Sequence, residues 1–403
     1  MRGLAQMRRL LLLAVTLVCA ATLLAACGSS SDDDGGSSTS GSGSSSSQTK
    51  GEGIRAGSGT DAERATTAGV AAGREAGAPV RLPVKTIGIV NFLNGIESSD
   101  RLVSTNELAA RILGWRTITC DGRGTPTQFV ACGNQMLDRG VDGIVMVAIE
   151  PGQVQQVLTK ARAAGVPVIQ TGGGAVPDGY DGNYGPDEYK AGQVLTEALL
   201  PRLDALPGDS VPIAIHDFPA GWARTRTDAL RDALRDQDKV KIDADTVTDG
   251  ANLVPFTRKT VADQITQNPD LKAFWVSFDT AGQVAGQVVQ SRYAGREFPD
   301  KPLVVTFHAD LGTIELMRKG DIDMTSEVNY DAGVWIGADN MAEFFARRTP
   351  FMTDNQPTYP GIGDPFTYRI VTKDDLPPRG EYVRPEWDIP AYFTAKWRTE
   401  FGL

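Results

Sequence analysis

The residues best suited to chemistry are polar and aromatic side chains that directly follow short apolar runs. Carboxylate, imidazole and amide groups can exchange hydrogen bonds with a small solute, and aromatic faces can stack on it. The carboxyl ends of parallel strands are also where α/β sheets bind their ligands. These positions are Asn91, Phe92, His216, Asp217, Phe278, Asp279, His308 and Asp310, together with residues 148–150 and 172–174.

Two histidines, each beside or near an aspartate, also raise the alternative of a secreted hydrolase. The sequence contains no G-x-S-x-G elbow, no H-E-x-x-H and no cluster of metal ligands around His216 or His308. We therefore predict a binding protein and not an enzyme, with no catalytic residue, no metal and no cofactor.

The elements that must position these residues alternate between apolar, β-rich runs and helical stretches. Strands that are apolar throughout indicate parallel sheets covered on both faces. Their number exceeds one doubly wound sheet, so the predicted fold is α/β with two doubly wound parallel-sheet lobes. The predicted strands, separated by helices, are 85–90, 115–119, 143–148, 167–171, 211–215, 240–246, 273–278 and 303–307.

The N-terminus carries an export signal that ends in a cysteine. Arg2, Arg8 and Arg9 precede an apolar run over residues 10–24. The ending L-A-A-C looks like a bacterial lipobox, which predicts a signal peptide over 1–27 and a lipid on Cys27. The alternative is a transmembrane anchor, but the run is shorter than the ~20 residues that a spanning helix needs. We expect an exported protein anchored by this lipid to the outer face of the cell membrane.

Residues 28–83 are predicted to be a disordered tether. The stretch 28–50 is almost wholly Ser, Gly, Asp, Thr and Gln, and 51–80 has few large apolar side chains. Such a composition buries too little surface to offset chain entropy, although a short helix within 60–75 stays open. The formal net charge of −10 argues against nucleic acid or an anionic lipid surface as a partner.

Two cysteines, Cys120 and Cys132, lie close together beyond the signal. In an exported protein such a pair favours a disulfide, here across a strand–loop–helix corner. A metal site is the alternative, but no further Cys or His accompanies the pair.

Five stretches between residues 84 and 371 carry a resemblance to a known family. They are KTIGIVNFLN, MLDRGVDGIVMVA, ARAAGVPVI, GWARTRTDALRDAL and FWVSFDTAGQVAG. In this order they resemble the type I periplasmic-binding-protein family, in particular its ribose-like sugar-binding branch. The resemblance implies two lobes joined by three crossings, with a cleft that closes on ligand. The implied lobes are 84–185 plus 328–365 and 186–327 plus 366–371, and 372–403 is expected to pack as an irregular tail.

The resemblance also implies ligand contacts at particular positions. The Asp-Arg pair that grips ring hydroxyls in the sugar binders falls here on Gly172 and Gly173, which puts an ordinary aldopentose or aldohexose in doubt. A larger or partly apolar ligand could use the space that these glycines leave. Each candidate also has an ordinary structural role open to it, such as capping a helix, pairing with a neighbour or packing. The implied contacts are Asn91, Phe92, Asn94, Trp222, Arg224, Phe278, Asp279, His308, Asp310 and Glu327.

The function implied by the resemblance is capture of a small solute, expected to be a carbohydrate, and its delivery to the permease of an ABC importer. A monomer is expected. Two alternatives stay open: the same module could serve a membrane sensor, or its ligand could be nucleoside-like or amino-acid-like.

Overall fold

The computed structural model describes residues 60–174, 176 and 179–403. Cys27, the signal over 1–27 and the first part of the predicted tether lie outside the described residues.

The N-terminal lobe is built on a five-stranded parallel sheet in the order β2-β1-β3-β4-β5. Strands β3 and β4 are buried along their whole length, as expected for apolar strands covered by helices on both faces. The strands are β1 (Thr86–Asn91), β2 (Arg116–Asp121), β3 (Gly143–Val147), β4 (Val168–Thr171) and β5 (Gly182–Tyr184).

The C-terminal lobe is built on a six-stranded sheet in the order β11-β10-β9-β8-β6-β7, in which only β11 runs antiparallel to its neighbour. The prediction of two α/β lobes with mainly parallel sheets is confirmed. The strands are β6 (Val211–Asp217), β7 (Val240–Val247), β8 (Ala273–Val276), β9 (Leu303–Phe307), β10 (Met324–Val328) and β11 (Tyr368–Val371).

Helices cover both sheets, and none of those described has the length and apolarity needed to cross a bilayer. They are α1 (Thr60–Glu75), α2 (Glu97–Ile112), α3 (Pro126–Asp138), α4 (Gln155–Ala164), α5 (Glu188–Asp204), α6 (Gly221–Leu234), α7 (Leu253–Gln267), α8 (Asp279–Arg292), α9 (Leu311–Lys319), α10 (Ala332–Arg347) and α11 (Ile389–Phe401).

The predicted disulfide is confirmed. Cys120 near the end of β2 is bonded to Cys132 in α3, with their Cα atoms 5.7 Å apart. The bond closes the corner between strand and helix, so its role is structural.

Two terminal segments differ from the prediction because they fold against each other. The tether prediction is wrong over residues 60–75, which form α1, and the irregular-tail prediction is wrong over α11. The small residues of α1 allow close approach: a Cβ on Gly69 would lie 2.2 Å from the carbonyl oxygen of Tyr392. Aromatic residues of α11, including Phe393 and Trp397, are buried in the N-terminal lobe's core.

The chain passes between the lobes four times, not three, because α11 returns to the N-terminal lobe after β11. The fourth passage, residues 372–388, is called the strap below. Arg379 of the strap donates to Glu315 of α9 in the C-terminal lobe at 2.9 Å. The Tyr382 hydroxyl donates to Glu97 of α2 in the N-terminal lobe at 3.2 Å. The strap therefore joins the two lobes through side chains as well as through the backbone.

Candidate functional site

A small cavity of about 40 Å³ lies where the strand ends of the two lobes face each other. Ligand pockets usually measure about 300–1,000 Å³, so the lobes are closed on each other and leave little more than the space of one water molecule. Its lining comes from both lobes and one crossing: Phe92, Ile96, Ser98, Ser99, Leu102, Ala148, Gly172, Trp222, Arg226, Phe278, His308 and Tyr330.

Four aromatic rings fill most of the cleft. The ring centroids of Phe218 and Phe278 are 4.6 Å apart, and Trp222 lies 5.5 Å from both. Phe92 approaches Phe218 from the other lobe at 6.2 Å. Apolar faces of this kind pack against each other across the cleft and offer stacking surfaces to a ring-shaped solute. Of the four, only Phe218 was not predicted.

Arg226, not Arg224, is the arginine of α6 that enters the cleft. Arg224 is exposed, because two residues along a helix point about 200° apart, and the prediction is corrected accordingly. The buried Arg226 guanidinium forms a bidentate pair with Glu188 at 2.6 and 3.0 Å and donates to the carbonyl of Ser277 at 3.0 Å.

His308 lies against the same guanidinium, with its Nε2 2.8 Å from Nη2 of Arg226. A guanidinium can only donate, so Nε2 accepts and the imidazole proton sits on Nδ1. Burial and the positive charges of Arg226 and Arg101 hold the pKa of His308 well below its usual value. The ring is therefore neutral, and its buried Nδ1 has no partner among the described residues. It can donate a hydrogen bond.

Arg101 of α2 forms a second buried cluster, which the sequence did not reveal. Its Nε donates to Asp331 at 2.8 Å, and its Nη1 lies 3.4 Å from Asp310 at the end of β9. The guanidinium also lies 4.4 Å from the ring centroids of both Tyr330 and Tyr382. This one cation thus joins the N-terminal lobe, the C-terminal lobe, a crossing and the strap.

Asp310 and Asp279 form a buried carboxyl pair beside this cluster. Burial, together with the charge of Asp279, raises the pKa of Asp310 well above its usual value, although Arg101 opposes the shift. Asp310 therefore ionises less readily than an ordinary carboxyl group, and in its protonated form it can donate a hydrogen bond to Asp279. Neither carboxyl group is part of the cavity lining.

Three other predicted contacts also lie outside the lining. Asn91 is buried and bonded within its own lobe, donating to Asn94 at 2.7 Å, and Asn94 is exposed. Glu327 accepts from the backbone N–H of Ala309 at 2.5 Å. His216, at the end of β6, is bonded to Gln264 at 2.6 Å inside the C-terminal lobe. The implied contacts that line the cavity are Phe92, Trp222, Phe278 and His308, and the predicted strand-end residues Ala148 and Gly172 line it as well.

Gly172 and Gly173 do not leave the open space that was expected of them. A Cβ on Gly172 would lie 2.3 Å from a methyl carbon of Leu102, and one on Gly173 would lie 2.5 Å from Nε2 of Gln170. Gly172 also has a φ of +74°, which favours glycine. These glycines are required by close packing and by the turn.

A larger cavity, of about 270 Å³, adjoins the cleft on the other side of Trp222. It also lies between the lobes, and its lining is mostly polar: Glu150, Gln170, Gly174, Val176, Asp187, Glu188, Gly221, Trp222 and Thr225. Within the described part of the chain, no three His, Cys, Asp or Glu side chains are grouped so as to hold a metal ion.

The comparisons with known proteins agree with this architecture. The family model described as "Periplasmic binding protein domain" matches residues 87–344. No curated protein sequence matches the chain.

Three solved structures illustrate the likeness of fold. An ABC transporter solute-binding protein from Mycobacterium smegmatis with bound glycerol has a TM-score of 0.62 and 19% identity, covering 75% of this chain and 99% of its own. One from Agrobacterium vitis with bound allitol has a TM-score of 0.62 and 17% identity, covering 73% and 97%. A Mycobacterium smegmatis protein in complex with β-D-fucofuranose has a TM-score of 0.61 and 17% identity, covering 72% and 92%. At these identities the likeness shows the fold alone.

Proposed function

Since this chain belongs to the periplasmic binding protein family, we propose that it captures a carbohydrate or related polyol and delivers it to the permease of an ABC importer. Proteins of this family are solute receptors, not enzymes. The finer parts of the proposal, the solute class and the importer, are supported by the solved structures of similar fold, which hold a polyol, glycerol and a furanose sugar.

The observation that carries the proposal is the convergence of stacking and hydrogen-bonding groups from both lobes on one cavity. Phe92 comes from the N-terminal lobe, and Trp222, Phe278 and His308 come from the C-terminal lobe. A sugar has an apolar face for the rings and hydroxyls for the buried polar groups. The two sets of groups face each other only when the lobes approach, so a solute held between the lobes shifts the population toward closure around it, which is the state that a permease can recognise.

The charges of the cleft favour a neutral solute over an amino acid. Arg226 is paired with Glu188, and Arg101 is paired with Asp331 and Asp310, so each guanidinium already has a carboxylate partner. A ligand carboxylate entering this site would have to displace one of them. A nucleoside-like solute, which is neutral and aromatic, is the second candidate that this site favours.

The location that we propose is the outer face of the cell membrane, with a lipid on Cys27 and the receptor acting as a monomer. The support is the L-A-A-C ending of the signal segment. Changing Cys27→Ser should release the protein from membranes into the soluble fraction, and a variant that stays bound would contradict the anchor. Deletion of the gene separates transport from sensing, because only a transport role predicts loss of solute uptake.

The test of capture is a thermal-shift screen of the full chain carrying Cys27→Ser against pentoses, hexoses, furanosides, polyols, nucleosides and amino acids. A ligand at 100 times its Kd should add about 2.7 kcal/mol to the free energy of unfolding. Arg226→Met should abolish the shift, and Arg224→Met, the exposed control on the same helix, should keep it. If no solute raises the midpoint, or if both variants respond alike, the proposed site is wrong.

A further inference from the structure

The cavity of about 270 Å³ beside the cleft has no role in the function proposed above. Glu150 and Gln170 approach it from the N-terminal lobe, Glu188 from the start of α5, and Thr225 from α6. Trp222 lines both this cavity and the aromatic cleft, so this residue lies between them. The two spaces are neighbouring compartments of one interlobe site.

Two residues of this lining each carry a buried polar atom that has no partner among the described residues. The side chain of Gln170 is 1% exposed, and its Nε2 donates to the carbonyl of Ile149 at 2.9 Å, but its Oε1 accepts from no described residue. The Nε1 of Trp222, which is 9% exposed, likewise donates to none. A buried polar group without a partner costs about 1–3 kcal/mol, so such groups mark places that a ligand completes.

The charge of the lining selects among ligands. Glu150, Asp187 and Glu188 are all acidic, and the described lining contains no Lys or Arg. Glu188 is held by Arg226, whereas Glu150 accepts a hydrogen bond from the backbone N–H of Gly221 across the lobes. The remaining lone pairs of these carboxylates can accept hydrogen bonds from hydroxyl groups, and their negative charge repels an anion.

We propose that this cavity is a second compartment of the binding site, and that the physiological solute is a neutral disaccharide or glycoside. One unit occupies the aromatic cleft, whose cavity of about 40 Å³ has to widen to admit it, and the second, hydroxyl-rich unit fills the carboxylate-lined cavity on the other side of Trp222. The cavity is itself near the lower end of the pocket volumes that small ligands use. This inference rests on the proposed function, because it names the solute class of the same site.

The experiment compares matched probes by isothermal titration calorimetry on the full chain carrying Cys27→Ser. The probes are monosaccharides, the disaccharides that contain them, and uronic-acid forms of those disaccharides. The disaccharide should bind at least about tenfold more tightly than its monosaccharide, the effect expected of one or two added hydrogen bonds to buried groups. The uronic form should lose that gain.

Thr225→Phe, which fills the cavity, should remove the disaccharide's advantage and leave the monosaccharide's affinity unchanged within about twofold. Arg224→Phe, one residue earlier and exposed, should leave both affinities unchanged. Should Thr225→Phe fail to fold, Gln170→Met is the second test. It removes the Oε1 acceptor of Gln170 and should weaken binding of the disaccharide only.

The outcomes distinguish this inference from the function on which it rests. If monosaccharides bind but disaccharides bind no more tightly, the receptor function stands and the second compartment is refuted. Equal loss of both probes in Thr225→Phe, or full affinity for the uronic form, also refutes it. If no carbohydrate binds at all, the proposed function and this inference fail together.

Discussion

Replacing Arg101 by methionine should lower the free energy of unfolding more than replacing any exposed charged residue. The side chain is fully buried, and its guanidinium contacts Asp331 at 2.6–2.8 Å and Asp310 at 3.4 Å. Methionine keeps the apolar bulk but leaves buried carboxylates without their cation. Breaking a buried ion pair from one side costs about 3–5 kcal/mol, and we expect that loss in the free energy of unfolding at pH 8.

The loss should be smaller at pH 5. Burial already raises the pKa of Asp310, and Arg101 opposes that shift, so without the guanidinium the pKa of Asp310 rises further in the folded protein. A carboxyl whose folded pKa exceeds its unfolded pKa stabilises the fold at low pH, and this stability is lost as the pH rises through the folded pKa. The variant should therefore recover part of its stability on acidification.

The measurement is urea unfolding at pH 8 and pH 5, followed by far-ultraviolet circular dichroism and tryptophan fluorescence. Arg235→Met is the control, because its side chain is 75% exposed and, among the described residues, forms an ion pair with Asp232 alone, so its loss should stay below about 1 kcal/mol. A penalty for Arg101→Met below about 1 kcal/mol at pH 8, or an equal penalty at both pH values, would refute the reasoning.

Three further predictions concern the disulfide, the buried Glu400 and the packing of α1 on α11. The double change Cys120→Ser and Cys132→Ser should lower the free energy of unfolding by about 3 kcal/mol in urea, since the bond closes a loop of some 13 residues. Burial raises the pKa of Glu400 to about 8, so its protonated form stabilises the fold and that contribution falls as the pH rises through about 8. The change Glu400→Gln should flatten the dependence of the melting temperature on pH between 6 and 9. The change Gly69→Val should separate α1 from α11 and expose α1 to limited proteolysis.

Each of these three predictions has a control or a result that would contradict it. Wild-type protein treated with reductant should match the double serine variant, and full stability in either would contradict the disulfide's role. An unchanged pH slope in Glu400→Gln would show that Glu400 does not titrate in this range. Thr67→Val, which places the same side chain on the exposed face of α1, should resist proteolysis as wild type does.

The strand-end residues were predictable because one rule places them. In a parallel sheet the carboxyl ends share an edge, so Phe92, Phe278 and His308 could be expected in one cleft from their positions after apolar runs. The choice between Arg224 and Arg226 depends on the rotation of α6 about its axis, and a resemblance in sequence did not fix that rotation.

Other parts of the site follow from contacts that no local pattern records. Arg101 meets Asp331 across 230 residues of sequence. Phe218 directly follows β6 and was missed because the predicted strand ended at residue 215, whereas β6 continues to Asp217. The segment that forms α1 looks disordered by composition, because its Gly and Ala residues are useful only once α11 is in place against them.

The packing of α1 on α11 has a mechanical consequence. Residues 1–59 join the described molecule at Thr60, the first residue of α1, and α11 is buried in the core of the N-terminal lobe. In the anchoring that we propose, a load along the backbone from Cys27 enters the N-terminal lobe at α1 and not a crossing between the lobes. The N-terminal lobe would then be held by the anchor, and we expect the C-terminal lobe, joined to it by three crossings and the strap, to be the lobe that moves.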